Sequence, residues 1–103
     1  MPEFSHAFQG NKFDRNLTKE ELIRAIRLMI AAEYEAVQLY AQLADSIDDE
    51  FAKAVLLDIA DEEKVHAGEF LKLLFYLDPE EEEFYKQGYE EVDEILEELK
   101  KKS

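Results

Sequence analysis

An unbroken heptad pattern runs through the first half of the chain and constrains its fold more than any other feature. Mostly apolar residues recur at alternating steps of four and three positions: Leu22, Ile26, Met29, Glu33, Ala36, Tyr40, Leu43 and Ile47. Because no glycine or proline interrupts them, they predict one long α-helix over about residues 19–46. Thr18, with Glu21 three residues later, predicts a capping box at its start.

A second heptad pattern follows a short polar turn. The segment DSIDD, from Asp45 to Asp49, is rich in residues that form turns and helix caps. The alternating steps then resume at Ala52, Leu56, Ile59, Glu63, His66, Phe70, Leu73 and Leu77. This pattern predicts a second helix over about residues 50–77. Two long helices joined by such a short connection form an antiparallel hairpin.

The rest of the sequence predicts a shorter C-terminal helix over about residues 79–101. Asp78 is placed to cap this helix, and Pro79 suits its first position. The acids of Glu80–Glu83 suit its first turn, where we expect them to be solvated. One stripe carries its apolar residues: Tyr85, Tyr89, Val92, Leu96 and Leu99.

These patterns together predict an all-α fold, an antiparallel two-helix hairpin plus a shorter C-terminal helix. Residues 1–17 have no sustained period and are predicted to be an N-terminal tail, which leaves residues 18–103 as one helical domain. A chain of 103 residues buries only about two-thirds of its unfolded surface when it folds alone. Because a lone hairpin is half of a four-helix core, we expect two copies to dimerise into a four-helix bundle.

The composition excludes several classes of function. There are 26 acidic and 12 basic residues, and the formal net charge of −14 argues against nucleic acid or an anionic membrane as a partner. The absence of cysteine excludes disulfides, thiolate catalysis and cysteine-based zinc sites. The chain has neither a membrane-spanning apolar run nor the features of a secretory signal, so we expect a soluble, cytoplasmic protein.

The two heptad patterns form apolar stripes along the helices, which we call seams. Three polar residues interrupt these seams at the same distance from the turn of the hairpin. Glu33 lies fifteen residues before Asp48 in the turn, and Glu63 lies fifteen residues after it. At ~1.5 Å per residue, both side chains are then roughly 22 Å from the turn and face each other. His66, three residues after Glu63, projects from the same face of its helix. We expect the three side chains to converge.

A metal ion explains this convergence better than a structural hydrogen bond does. A buried Glu–His pair is the simpler alternative, but a second carboxylate would then lack a cationic partner, which is costly in an apolar seam. A di-iron centre in a helix bundle uses one Glu from each of two helices and a Glu-x-x-His from each of the other two. One chain supplies half of that set, so a symmetric dimer would complete it.

The donor types leave iron, manganese and zinc open. Carboxylate-rich ligands stabilise Fe(III) relative to Fe(II), which favours iron and its oxidation by oxygen. Tyr40, two turns after Glu33 on the same seam, is either a donor and electron source beside the centre or an aromatic residue packed at an interface.

Two stretches closely resemble the encapsulated ferritins: AAEYEAVQLY, from Ala31 to Tyr40, and DEEKVHAGEF, from Asp61 to Phe70. The resemblance covers about Thr18 to Pro79. It implies a ferritin-like four-helix bundle formed by two copies, with a ferroxidase centre of one iron per chain at their interface. It also implies a ring of five dimers that works inside an encapsulin shell in the cytoplasm, where oxidised iron is stored.

The resemblance also implies roles for single residues. Glu33, Glu63 and His66 would be the iron ligands, and Tyr40 would lie beside the centre. Glu35 would belong to an outer site, on the path into the centre, for calcium or another divalent ion.

Two other functions remain open from the sequence. The chain could be a non-enzymatic dimerisation module whose polar seam residues set the register of pairing. It could also be a rubrerythrin-like half-bundle that scavenges peroxide, although it lacks the cysteine cluster of a rubredoxin-like domain.

Overall fold

The computed structural model describes residues 15–103 and contains three α-helices. Helix α1 spans Lys19–Asp45, α2 spans Glu50–Leu77 and α3 spans Pro79–Lys102. The predicted all-α class, the hairpin and the shorter third helix are confirmed. Relative to the predicted bounds, α1 ends one residue earlier and α3 one residue later. Most of the predicted tail, residues 1–14, lies outside the described residues.

The first two helices begin where their capping residues place them. The Thr18 hydroxyl accepts a hydrogen bond from the Glu21 backbone N–H at 3.1 Å, and the Glu21 carboxylate accepts one from the Thr18 N–H at 2.8 Å. This confirms the capping box. The Asp49 carboxylate caps α2 by accepting a hydrogen bond from the Ala52 N–H at 2.8 Å.

Asp78 occupies the predicted N-cap position of α3, but its side chain makes no capping hydrogen bond. Its carboxylate oxygen lies 3.8 Å from a guanidinium nitrogen of Arg27 on α1. An ion pair between elements has taken the place of the local cap.

The interior of the hairpin is a narrow strip built from a few alanine, isoleucine and leucine side chains. Ala60, Ala67 and Leu74 are buried on α2 at intervals of seven residues, and the buried residues of α1 include Ile30 and Ala44. The alanines let the two backbones approach closely. Near the open end of the hairpin, the core is a cluster of larger side chains: Ile26, Ile30 and Leu74, with Ile23, Phe70, Leu71, Phe75 and Leu77 packed against it.

The heptad seams predicted from the sequence lie largely beside this strip. On α2 each buried residue comes one position after a residue of the predicted seam. Leu74 is buried, for example, whereas the seam residue Leu73 is 40% exposed. On α1, Leu22 and Leu43 are 37% and 50% exposed, although Ile26 is buried. A single hairpin therefore leaves part of its apolar seam open on one face.

Helix α3 is attached to the hairpin only near its start. The rings of Tyr85 and Phe75 pack edge to face with their centroids 5.5 Å apart. Every residue from 89 to 103 is exposed. In the predicted apolar stripe, Tyr85 contacts the hairpin and Tyr89 lines a cavity beside Leu74. The later members of the stripe are solvated. Across residues 15–103, no helix has both the length and the apolar character needed to span a membrane.

Candidate metal centre

Glu33, Glu63 and His66 meet across the hairpin as the sequence predicts. The Nδ1 atom of His66 lies 3.5 Å from a carboxylate oxygen of Glu63 and 3.9 Å from one of Glu33. One donor atom from each residue lies within 4.8 Å of the other two. No second group of three such side chains occurs among residues 15–103.

Two features of the local sequence produce this geometry. The i, i+3 spacing places Glu63 and His66 on one face of α2. The buried alanines on either side of them, Ala60 and Ala67, bring α2 close enough to α1 for Glu33 to reach across. The site is therefore built on two rigid helices and not on a loop.

The cluster is electrostatically incomplete. The side chains of Glu33 and Glu63 are only 18% and 19% exposed, whereas His66 is 49% exposed. The Oε2 atom of Glu33 is buried and has no hydrogen-bond partner among the described residues. A buried, unpartnered carboxylate oxygen is costly unless a proton or a cation satisfies it.

The pKa of Glu33 shows the same imbalance. The neighbouring Glu63 carboxylate raises it, chiefly because the two groups would be held together by a shared proton, and burial raises it further. The nearby His66 acts in the opposite direction. Two ionised carboxylates repel each other, and neither can donate a hydrogen bond to the other. A proton or a cation between them would relieve this repulsion.

The donor set fits a divalent transition metal. Carboxylate oxygens and an imidazole nitrogen suit iron, manganese and zinc. Such donors lie about 2.0–2.2 Å from their metal, so two ligands of one ion are separated by roughly 3–4 Å. The contacts of His66 with Glu33 and Glu63 fall in this range. Glu33, Glu63 and His66 would hold such an ion with three donors, so further ligands would have to come from elsewhere.

The other two predicted site residues do not join the cluster. Tyr40 is half-buried and lies seven residues beyond Glu33, roughly 10 Å along the helix axis. Glu35, also half-buried, lies two residues beyond Glu33 and so points to a different side of α1. Their predicted roles, beside the centre and at an outer site, remain predictions.

The structure adds a polar cluster that the sequence did not predict. Glu81, expected to be solvated with its acidic neighbours, is only 9% exposed. Its carboxylate accepts hydrogen bonds from Arg27 on α1 and from the Tyr85 hydroxyl. The ion pair lowers the pKa of Glu81, and the Glu81 carboxylate raises the pKa of Tyr85 to about 12. The i, i+4 spacing of Glu81 and Tyr85 was the only local signal of this cluster.

Comparison with known proteins identifies the family. The sequence model of the rubrerythrin family matches residues 24–102. The chain therefore belongs to the rubrerythrin family. A crystal structure of the encapsulated ferritin domain from Pyrococcus furiosus is similar to it, with a TM-score of 0.78 and 50% sequence identity. The match covers 82% of this chain and 85% of that one.

Two curated relatives confirm the resemblance to encapsulated ferritins. The first, a ferritin-like–encapsulin shell fusion protein of Pyrococcus furiosus, is 50% identical over 82 residues, which are 80% of this chain and 24% of the relative. The second is an encapsulin nanocompartment cargo protein of Myxococcus xanthus. It is 46% identical over 76 residues, which are 74% of this chain and 58% of the relative. The chain thus matches less than two thirds of either relative's length.

Proposed function

We propose that this protein is a ferroxidase, which oxidises Fe(II) to Fe(III) with oxygen at a di-iron centre shared by two copies of the chain. The observation that carries the proposal is the convergence of Glu33, Glu63 and His66, in which one buried carboxylate oxygen has no described partner. Each Fe(II) loses one electron and oxygen accepts the electrons. The carboxylates favour the ferric product because they neutralise its higher charge.

Both charge and packing support a second copy in this proposal. Two chains related by a two-fold axis would bring four carboxylates and two imidazoles together, and four negative charges balance two divalent ions. The same pairing would cover the exposed seam residues Leu22, Leu43 and Leu73. It would also turn two hairpins into a four-helix bundle, the fold in which such centres are found.

Each ligand has a separate task in this proposal. Glu33 and Glu63 hold iron from the buried side, and His66 binds it at the exposed edge. Tyr40 is proposed to donate a hydrogen bond or an electron beside the centre. Glu35 is proposed to attract calcium or another divalent ion at an outer site. Their separation from the cluster along or around α1 is compatible with both roles.

The proposed setting is an encapsulin compartment in the cytoplasm. One curated relative is an encapsulin cargo protein and another is fused to an encapsulin shell. We propose that this protein works inside such a shell as a ring of five dimers, where its ferric product is stored. Expression with and without an encapsulin shell protein, followed by isolation of the shell, tests the association.

The activity is tested by adding Fe(II) in air and following ferric absorbance. We expect Glu63→Ala to lose most of the rate, whereas Glu62→Ala, at the exposed neighbouring position, should retain it. Elemental measurement should find one iron per chain in the wild type and less in His66→Ala, with unchanged helical circular dichroism. Equal rates in the wild type and Glu63→Ala would indicate a dimerisation module instead.

Membership of the rubrerythrin family supports a second candidate, the reduction of peroxide. The two candidate functions differ in the oxidant that the enzyme consumes. Stopped-flow measurements with Fe(II) and either oxygen or hydrogen peroxide at matched concentrations separate them. A ferroxidase oxidises iron with oxygen alone, whereas a peroxide scavenger reacts much faster with peroxide.

A further inference from the structure

We infer that Arg27, Glu81 and Tyr85 form a latch that holds α3 in one fixed direction across the hairpin. Arg27 Nε donates to the two Glu81 oxygens at 3.0 and 3.2 Å, and its Nη2 donates to Oε1 at 2.5 Å. The Tyr85 hydroxyl donates to the other oxygen, Oε2. These contacts join α1 to α3 across 54 positions of sequence.

Within residues 15–103, the latch supplies side-chain hydrogen bonds that join α3 to α1, in addition to the packing of α3 against α2 near its start. Glu81 is the buried residue of α3, and it is charged. The nearest large apolar residue of that segment, Phe84, is 69% exposed. Tyr85 packs edge to face on Phe75, and Tyr85 and Tyr89 line a cavity with Leu74, but no apolar side chain of α3 is buried.

The chemistry of the latch makes it directional. A planar guanidinium that donates two hydrogen bonds to one carboxylate restricts both distance and orientation, and such charge-assisted bonds are stronger than neutral ones. Asp78, at 3.8 Å from Arg27, adds a second negative charge beside it. The latch therefore keeps the exposed residues Val92, Leu96 and Leu99 away from the hairpin.

The latch is separate from the candidate metal centre of Glu33, Glu63 and His66. Successive residues of a helix are about 100° apart, so Glu33 and Tyr34 point to different sides of α1. Tyr34 and Arg27 lie on the side of α1 that faces Tyr85, where they line one cavity with it. Glu33 faces Glu63 and His66 on the other side of the hairpin contact. A change in the latch should leave metal binding intact.

The test compares two arginines on the same helix. Arg27→Met keeps the aliphatic stem and removes the guanidinium, and Arg24→Met makes the same change at an exposed position three residues earlier. In metal-free protein we expect Arg27→Met to speed amide hydrogen exchange in residues 80–88 by about tenfold or more, with α1 and α2 unchanged. Arg24→Met should match the wild type.

Direction is measured by electron–electron distances between spin labels. Labels on Asp58→Cys in α2 and Glu97→Cys in α3 should give a narrow distribution in the wild type and a broad or shifted one in Arg27→Met. Because the chain has no cysteine, the labels are specific, and excess unlabelled chain suppresses distances between copies. The exchanged pair Arg27→Glu with Glu81→Arg should restore part of the narrow distribution.

An unchanged distance distribution and unchanged exchange in Arg27→Met would overturn the latch. Equal effects of Arg24→Met and Arg27→Met would also overturn it, since the effect would then follow from lost charge alone. Both readouts are made without metal, so their outcome does not depend on the proposed ferroxidase activity.

Discussion

Leu73 and Leu74 are neighbours in α2, yet Leu74 is 1% exposed and Leu73 is 40% exposed. Leu74 fills the core of the hairpin, whereas Leu73 lies on the seam that the single hairpin leaves open. The boundary between the core of the hairpin and the surface that the proposed second copy would cover thus falls between two adjacent leucines.

This boundary predicts different effects for the same substitution. Leu74→Ala should lower the free energy of unfolding of the metal-free protein by about 2–5 kcal/mol, because it leaves a cavity. Leu73→Ala should cost about 1 kcal/mol or less in dilute protein but should weaken association. Urea unfolding measures the stability of both variants, and sedimentation measures their association. An equal loss in free energy of unfolding would mean that both leucines belong to one core.

Neutralising Glu33 is expected to stabilise the protein and, under the proposed function, to weaken its binding of iron. Because its buried oxygen lies beside a second carboxylate, Glu33→Gln should raise the free energy of unfolding of metal-free protein by about 0.5–2 kcal/mol. If Glu33 is an iron ligand as proposed, the iron content per chain should fall at the same time. Glu62→Gln at the exposed neighbouring position is the control, and loss of stability in Glu33→Gln would mean that the carboxylate is a structural group.

The ion pair of Glu81 predicts acid sensitivity in the attachment of α3. The folded-state pKa of Glu81 lies below its ordinary value because Arg27 favours the charged form, aided by the Tyr85 hydroxyl. Its contribution to stability is therefore present above the ordinary pKa of glutamate and is lost as pH falls through the depressed folded value. The stability difference between wild type and Glu81→Gln, measured by urea unfolding across this range, should shrink towards acid. A constant difference would contradict the prediction.

Ionisation of Tyr85 is expected to weaken the attachment of α3 at high pH. The Glu81 carboxylate raises the pKa of Tyr85 to about 12, although Arg27 opposes it and Tyr34 contributes slightly. A raised pKa means that the folded state favours the neutral phenol. The resulting stability is present below the ordinary pKa of about 10 and is lost between 10 and 12. Ultraviolet titration should show a late-ionising tyrosine that disappears in Tyr85→Phe.

Gly68 should be replaceable with a gain in stability. It lies inside α2, and a Cβ atom added there would meet nothing within 4 Å. Gly68→Ala should therefore raise the free energy of unfolding by about 0.5–1 kcal/mol through lower backbone entropy in the unfolded chain. Thermal unfolding of the metal-free protein measures it, and a destabilised variant would show that another copy occupies that surface.

The convergence of Glu33, Glu63 and His66 could be predicted because it depends on local rules. The i, i+3 spacing places Glu63 and His66 on one side of α2, and equal spacing from the turn brings Glu33 and Glu63 to the same height. Neither step requires knowledge of a distant contact.

The rotation of α2 could not be predicted in the same way. The positions of Ile59 and Ala60 both fit a seven-residue period, and only the close approach of two backbones favours the alanine. Glu81 was missed for a different reason. Four successive glutamates are equivalent in sequence, and a partner 54 residues away selects the buried one.

His66 holds its imidazole half-exposed at the rim of the hairpin, beside two carboxylates that need a cation. Under the proposed function, a chain newly released from the ribosome carries half a reaction centre. Iron oxidation then starts only after two folded copies have associated. Unpaired or damaged chains therefore do not oxidise iron. Dependence on a partner would act as a safeguard against misplaced oxidation.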